Sequence, residues 1–190
     1  MPRTIALVTA GAAAVAVAGA AFALWPHTAP GADAARWPVE RLTADPAVAL
    51  PYVLHVKPTE CPAFSLSSPV ASEGGLAPDA QYQVRLEEGH TLLAVCLGPA
   101  SDTARETVAG QVAGNESEGP VNANATVVQA PFGEAVRLDT SFVHGGPPGL
   151  TDWHVDHGGY AYVVGYLHPA GDESHRAQAE AMLASLTFDE

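Results

Sequence analysis

The sequence predicts an α+β domain, an antiparallel β-sheet covered by helices, preceded by an N-terminal apolar export helix. Three observations predict it. Segments of alternating apolar and polar residues come in hairpin-like pairs. One segment near the C-terminus carries its apolar residues at helical spacing. Residues Ile5 to Trp25 form an apolar run that contains no charge.

That run is the first element. Arg3 precedes it, the helix-breaking Pro26 and Pro30 follow it, and Ala32-Asp33-Ala34 supplies a small-x-small cleavage site. Two readings follow. Cleavage after Ala34 makes residues 1–34 a signal peptide and the remainder a secreted protein. Retention makes residues 5–25 a transmembrane anchor, since the run matches the roughly 20 residues that cross a bilayer. Alanine and glycine dominate it, so its transfer energy per residue lies below that of a Leu-rich span. The first cysteine is Cys61, so none stands near the run to accept a lipid. Both readings place residues 35–190 outside the cytoplasm, as a single extracytoplasmic domain with one hydrophobic core.

After the run, Pro26, Pro30, Gly31 and Pro38 mark residues 26–40 as a linker or a processed segment, and packed structure is expected to begin near Trp37. Arg41 to Ala49 reads as a short helix broken at Pro46, and Tyr52 to Val56 as a strand. A Pro- and Ser-rich loop spans Cys61 to Pro78. Tyr82, Val84 and Leu86 then alternate with Gln81, Gln83, Arg85 and Glu87, the clearest period-2 signal in the chain. Glu88-Gly89-His90 separates that strand from the apolar run Thr91 to Leu97, which predicts a hairpin whose second strand is buried on both faces.

Thr103 and Glu106 have the spacing of a capping box and predict a helix over 103–112, which Gly110 weakens. Two extended segments follow, 125–129 and 134–143; Val136, Leu138, Thr140 and Phe142 share one face of the second. Leu150 to Asp156 and Tyr160 to Leu167 flank His157-Gly158-Gly159 as another hairpin. The last element is a helix capped by Asp172 or Ser174, with Ala179, Met182, Leu183 and Leu186 on its apolar stripe.

Composition narrows the function. The formal net charge is -13, and Lys57 is the only lysine; such a field repels nucleic acid and keeps an exported protein soluble. Cys61 and Cys96 are the only cysteines, and in an oxidising compartment an even pair predicts a disulfide. A redox role would call for close spacing such as C-x-x-C.

The one cluster with ligand chemistry is Asp152, His154 and Asp156, with His144, His157, His168 and His175 around it. Imidazole and carboxylate are the donors of zinc and similar ions, and on a strand these three residues share one face. His157 and His168 fall at opposite ends of the hairpin and cannot join them. The competing reading makes all of these solvated strand and turn residues. No H-E-x-x-H, G-x-S-x-G or S-x-x-K motif occurs, so the common hydrolase signatures have no foothold. Tyr160, Tyr162 and Tyr166 alternate onto one face with Val164, opposite Trp153; such a stripe is core or a platform for a ligand.

The final stretch of the chain has a strand near Leu138, the hairpin 150–168, then a helix leading into Ser185-Leu186-Thr187-Phe188. It resembles the C-terminal half of PsbP-like proteins. The resemblance covers about a third of the chain and rests on element order. It implies an antiparallel sheet sandwiched between helices and a binding or scaffolding role, with no functional residue to carry over. The expectation is therefore a non-catalytic exported protein with no cofactor, its partner an envelope protein or small ligand, not nucleic acid. The alternative is a divalent-metal protein, with zinc held by Asp152, His154 and Asp156 and available for hydrolysis.

Overall fold

The computed structural model describes residues 36–71, 81–118, 121–142 and 149–189. The expected export segment and its cleavage site at Ala34 lie outside the described residues; among those described, no helix is long and apolar enough to cross a membrane.

Alternation builds the centre of the molecule. Strands β1 (Val39–Arg41), β4 (Gln81–Glu87), β5 (His90–Pro99), β6 (Val121–Ala130), β7 (Gly133–Phe142), β8 (Gly149–His157) and β9 (Tyr160–His168) form a seven-stranded sheet in the order β1-β6-β7-β8-β9-β5-β4. Three antiparallel hairpins supply most of it, and the pairings of β7 with β8 and of β5 with β9 join them. The β8–β9 turn is closed by Gly158 and Gly159, with φ of 59° and 83°. Two successive positive φ values are what a two-residue type I′ hairpin turn demands, and glycine adopts them without a Cβ clash. One pairing departs from the expected all-antiparallel sheet: β1 runs parallel to β6, with Val39 opposite Val127. The predicted helix over 41–49 is absent. Pro46 removes a helical donor, and Asp45 instead closes a turn, accepting the backbone N–H of Ala47 at 2.9 Å.

A second sheet was hidden in the sequence. Residues 61–78, expected to be loop, contain β3 (Phe64–Ser68), which lies between β2 (Tyr52–Val56) and β10 (Thr187–Phe188). Phe64, Leu66 and Ser68 are buried on one side of it. The serines between them mask an alternation that only the packing partner makes visible.

Among the described residues, two helices accompany the sheets. The capping box forms as predicted: Thr103 donates its backbone N–H to Glu106 Oε2 at 2.8 Å, and Glu106 N–H returns a bond to Thr103 Oγ1 at 3.2 Å. Helix α1 (Ala104–Glu118) then runs past the expected end at residue 112. Helix α2 (Arg176–Ala184) is capped by neither expected residue. His175 occupies the cap position without a side-chain capping bond, while Asp172 Oδ1 accepts Ser174 N–H.

The two faces of the large sheet are therefore covered differently. The inner face carries Trp153, Val155, Tyr162, Val164, Tyr166 and Leu92 against Leu54, Val56, Phe64 and Leu66 of the small sheet and Met182 and Leu183 of α2. The outer face meets α1 over β6, β7 and β8, where Val108 packs on Val136 and Leu138. Each large side chain buried in this way contributes roughly 1.5–3 kcal/mol relative to exposure. The aromatic stripe is thus core. The Cys61–Cys96 disulfide forms, tying the loop between β2 and β3 to the end of β5.

Candidate functional site

Asp152, His154 and Asp156 do share one face, as strand alternation requires, and it is the outer one. Neither of the first two is solvated. Asp152 is 5% and His154 3% exposed, which overturns the reading of these as water-facing residues. The cause is tertiary: Leu138 and Val136 flank them from β7, and Gly165 and Val163 from β9. Burial, with the charge of Asp139 in second place, raises the Asp152 carboxyl to about 7. Burial lowers the His154 imidazole to about 4. Both groups are thus driven toward their neutral forms.

Asp156, at the end of the strand, has a different task. Its Oδ2 accepts the backbone N–H of Ala104 at 2.6 Å, so a carboxylate from the sheet satisfies the first turn of α1 where the helix dipole is positive. Among the described residues, no group of three or more His, Cys, Asp or Glu side chains is placed to hold a metal ion. His157 stacks on Phe188 with ring centroids 3.9 Å apart, and His168 stacks on Tyr166 at 5.0 Å, so both serve the inner face. His144 lies outside the described residues.

A polar cluster that sequence spacing did not reveal gathers where the β4–β5 turn meets the start of α2. His90 opens β5 and is 3% exposed. Its Nδ1 lies 2.8 Å from the Tyr166 hydroxyl, and its Nε2 lies 3.4 Å from Asp172 Oδ2. A proton on Nε2 points at that carboxylate, which leaves Nδ1 to accept from the phenol. The His175 ring faces His90 with centroids 4.6 Å apart and bonds to Glu87 through Nε2 and to Gln178 through Nδ1. The Gln178 bond, and then Glu87, hold the His175 imidazole above its ordinary range. Bonds from Ser174 first, and then His90, hold Asp172 below the usual carboxylate range. The arrangement clips the hairpin turn to the helix. His90 and Tyr166 are 76 positions apart, so no local pattern could have paired them.

The inner face has a second polar device. Arg137 of β7 donates to Asp139 and Glu40, and Arg176 of α2 donates to Asp139, Glu173 and Glu180. Thr151 adds its hydroxyl to Asp139 at 2.8 Å. Two guanidinium groups are spent in this way on joining α2 to β7, with β1 attached through Glu40. Neither is left to receive an anionic ligand.

No family model matches the chain, and no curated protein matches it in sequence. Among solved structures, the solution structure of cyanobacterial PsbP (CyanoP) from Synechocystis sp. PCC 6803 is similar over 78% of this chain and 99% of that one, with 14% identity and a TM-score of 0.47. This likeness concerns the fold alone.

Proposed function

We propose that the chain is an exported, non-catalytic domain that binds or scaffolds a partner at the cell envelope. The observation that carries the reading is the Cys61–Cys96 bond, which braces the loop between β2 and β3 against the large sheet. Such a bond persists outside the reducing cytoplasm and suits a domain that must hold its shape there. The placement of the chemical groups supports the non-catalytic part. Asp152 and His154 are enclosed by the outer-face packing, and Asp156 is engaged at the start of α1.

Intact mass and fractionation of the natively expressed protein test the export reading. A species beginning near Ala35 and two hydrogens light is expected if the segment is cleaved, and a full-length membrane-bound species if it is retained. A reduced protein in the cytoplasm would sink the proposal. Chemical crosslinking in intact cells tests the second half, with a covalent adduct to an envelope partner as the expected product. A zinc-induced rise in melting temperature that chelator reverses and H154A abolishes would favour the metal-binding alternative instead.

A further inference from the structure

Among the described residues the two sheets have four edges, and three of them are guarded in ways that stop strands from adding to them. Strand β1 has three residues and β10 has two. Strand β4 is bulged between Arg85 and Glu87 and carries both of those charges. The fourth edge, β2, has none of these devices. Its five residues, Tyr-Val-Leu-His-Val, include no acidic residue, lysine, arginine or proline, and its register with β3 is unbroken from Tyr52 to Val56. Tyr52 is 46% and Val53 59% exposed, so two of the four exposed large hydrophobic residues among those described fall on this short strand. Among the described residues, the backbone of 52–56 bonds to β3 and to nothing else. Alternate N–H and C=O groups of an antiparallel strand paired on one side point outward.

We propose that the outer edge of β2 is a docking strand, on which an extended, basic segment of a partner protein adds as a fourth strand to the small sheet. This rests on the binding reading above and gives it a place and a chemistry. An open edge with a flat register selects an extended peptide, because the ladder supplies the affinity and alternate side chains the specificity. The formal charge of -13 selects a basic segment, drawn in by the field of the domain, and disfavours a second copy of the chain. Pro51 and Pro58 bracket the strand and limit the ladder to its length. Strand addition leaves the fold unchanged, since Leu54 and Val56 keep their places in the core.

The test uses the disulfide-bonded domain and a capped peptide of about nine alternating valine and lysine residues, long enough to cover the edge. NMR amide shifts on titration should concentrate at 52–56. V53K, at an exposed position that the fold does not need, should weaken binding about tenfold by placing a like charge opposite the peptide lysines. The same peptide N-methylated on alternate residues should not bind, because the ladder bonds are then blocked. The proposal falls if amides 52–56 do not respond, if the N-methylated peptide binds as well, or if β2 becomes protected by self-association of the chain. If crosslinking finds an envelope partner that V53K fails to release, the docking edge is wrong while the binding reading stands. If no partner is found, the binding reading itself fails.

Discussion

The Asp152 carboxylate lies over Gly165 on the neighbouring strand, so close that a Cβ added at Gly165 would stand 2.7 Å from Asp152 Oδ1. Glycine is required here by the space its neighbour occupies. The substitution G165A should therefore force the buried carboxyl to move and cost about 1–3 kcal/mol. Urea denaturation of the two proteins measures this directly. An unchanged midpoint would show that the carboxyl has room to turn away.

The pair Asp152 and His154 should give the outer face opposing responses to pH. A carboxyl raised to about 7 in the folded protein retains its proton where the unfolded chain has lost it. Its effect is a loss of stability as pH rises from about 4 to about 7, on the order of 4 kcal/mol when complete. An imidazole lowered to about 4 behaves in the opposite sense. Its effect is a loss as pH falls from about 6.5 to about 4, on the order of 3 kcal/mol. The two slopes largely cancel between about pH 4 and 6.5, and each single variant should uncover the other. D152N should leave a protein that weakens in acid, and H154Q one that weakens toward neutrality. Melting temperatures across that range, compared with those of the unaltered protein, check both signs.

Helix α1 is held at its start by two separate carboxylates, Glu106 in the capping box and Asp156 from β8. D156A removes this strand-to-helix bond and should cost about 1 kcal/mol, the ordinary worth of a helix cap. The loss should be local, seen as faster hydrogen exchange in residues 104–108 with the inner face unaffected. Equal acceleration of the β8–β9 hairpin would show that Asp156 supports the sheet instead.

Reduction of Cys61–Cys96 releases a loop closed over a separation of 35 residues. On the chain-entropy argument this should cost about 4 kcal/mol, most of it through the unfolded state. Denaturation with and without reductant reads the difference. Because β3 follows Cys61 directly, the small sheet should be the first part to exchange its amides in the reduced protein. A reduced protein as stable as the oxidised one would mean that strain in the folded state offsets the entropy gain.

How far each part was legible follows from the range of the interaction that decides it. The hairpins β4–β5 and β8–β9 were readable because period-2 alternation and paired glycines act within a few residues. The start of α1 was readable because Thr103 and Glu106 are three apart. Strand β3 was not: Ser65 and Ser67 face away from the core, Ser68 is a polar residue on the buried side, and its neighbours are β2 before it and β10 near the end of the sequence. The helix expected over 41–49 failed because a proline and an aspartate favoured a turn, while β1 was captured by β6.

The residues alone determined which side chains share a face of each strand and that the two cysteines would pair. These follow from local periodicity and chemistry. Tertiary structure decided which face is wet. Asp152 and His154 are buried because neighbouring strands and α1 enclose them, the tyrosine stripe is core because α2 and the small sheet cover it, and β2 remains open because nothing in the described chain pairs with its outer edge. Each of these depends on elements far apart in sequence coming together, and a pattern confined to one strand has no term for that.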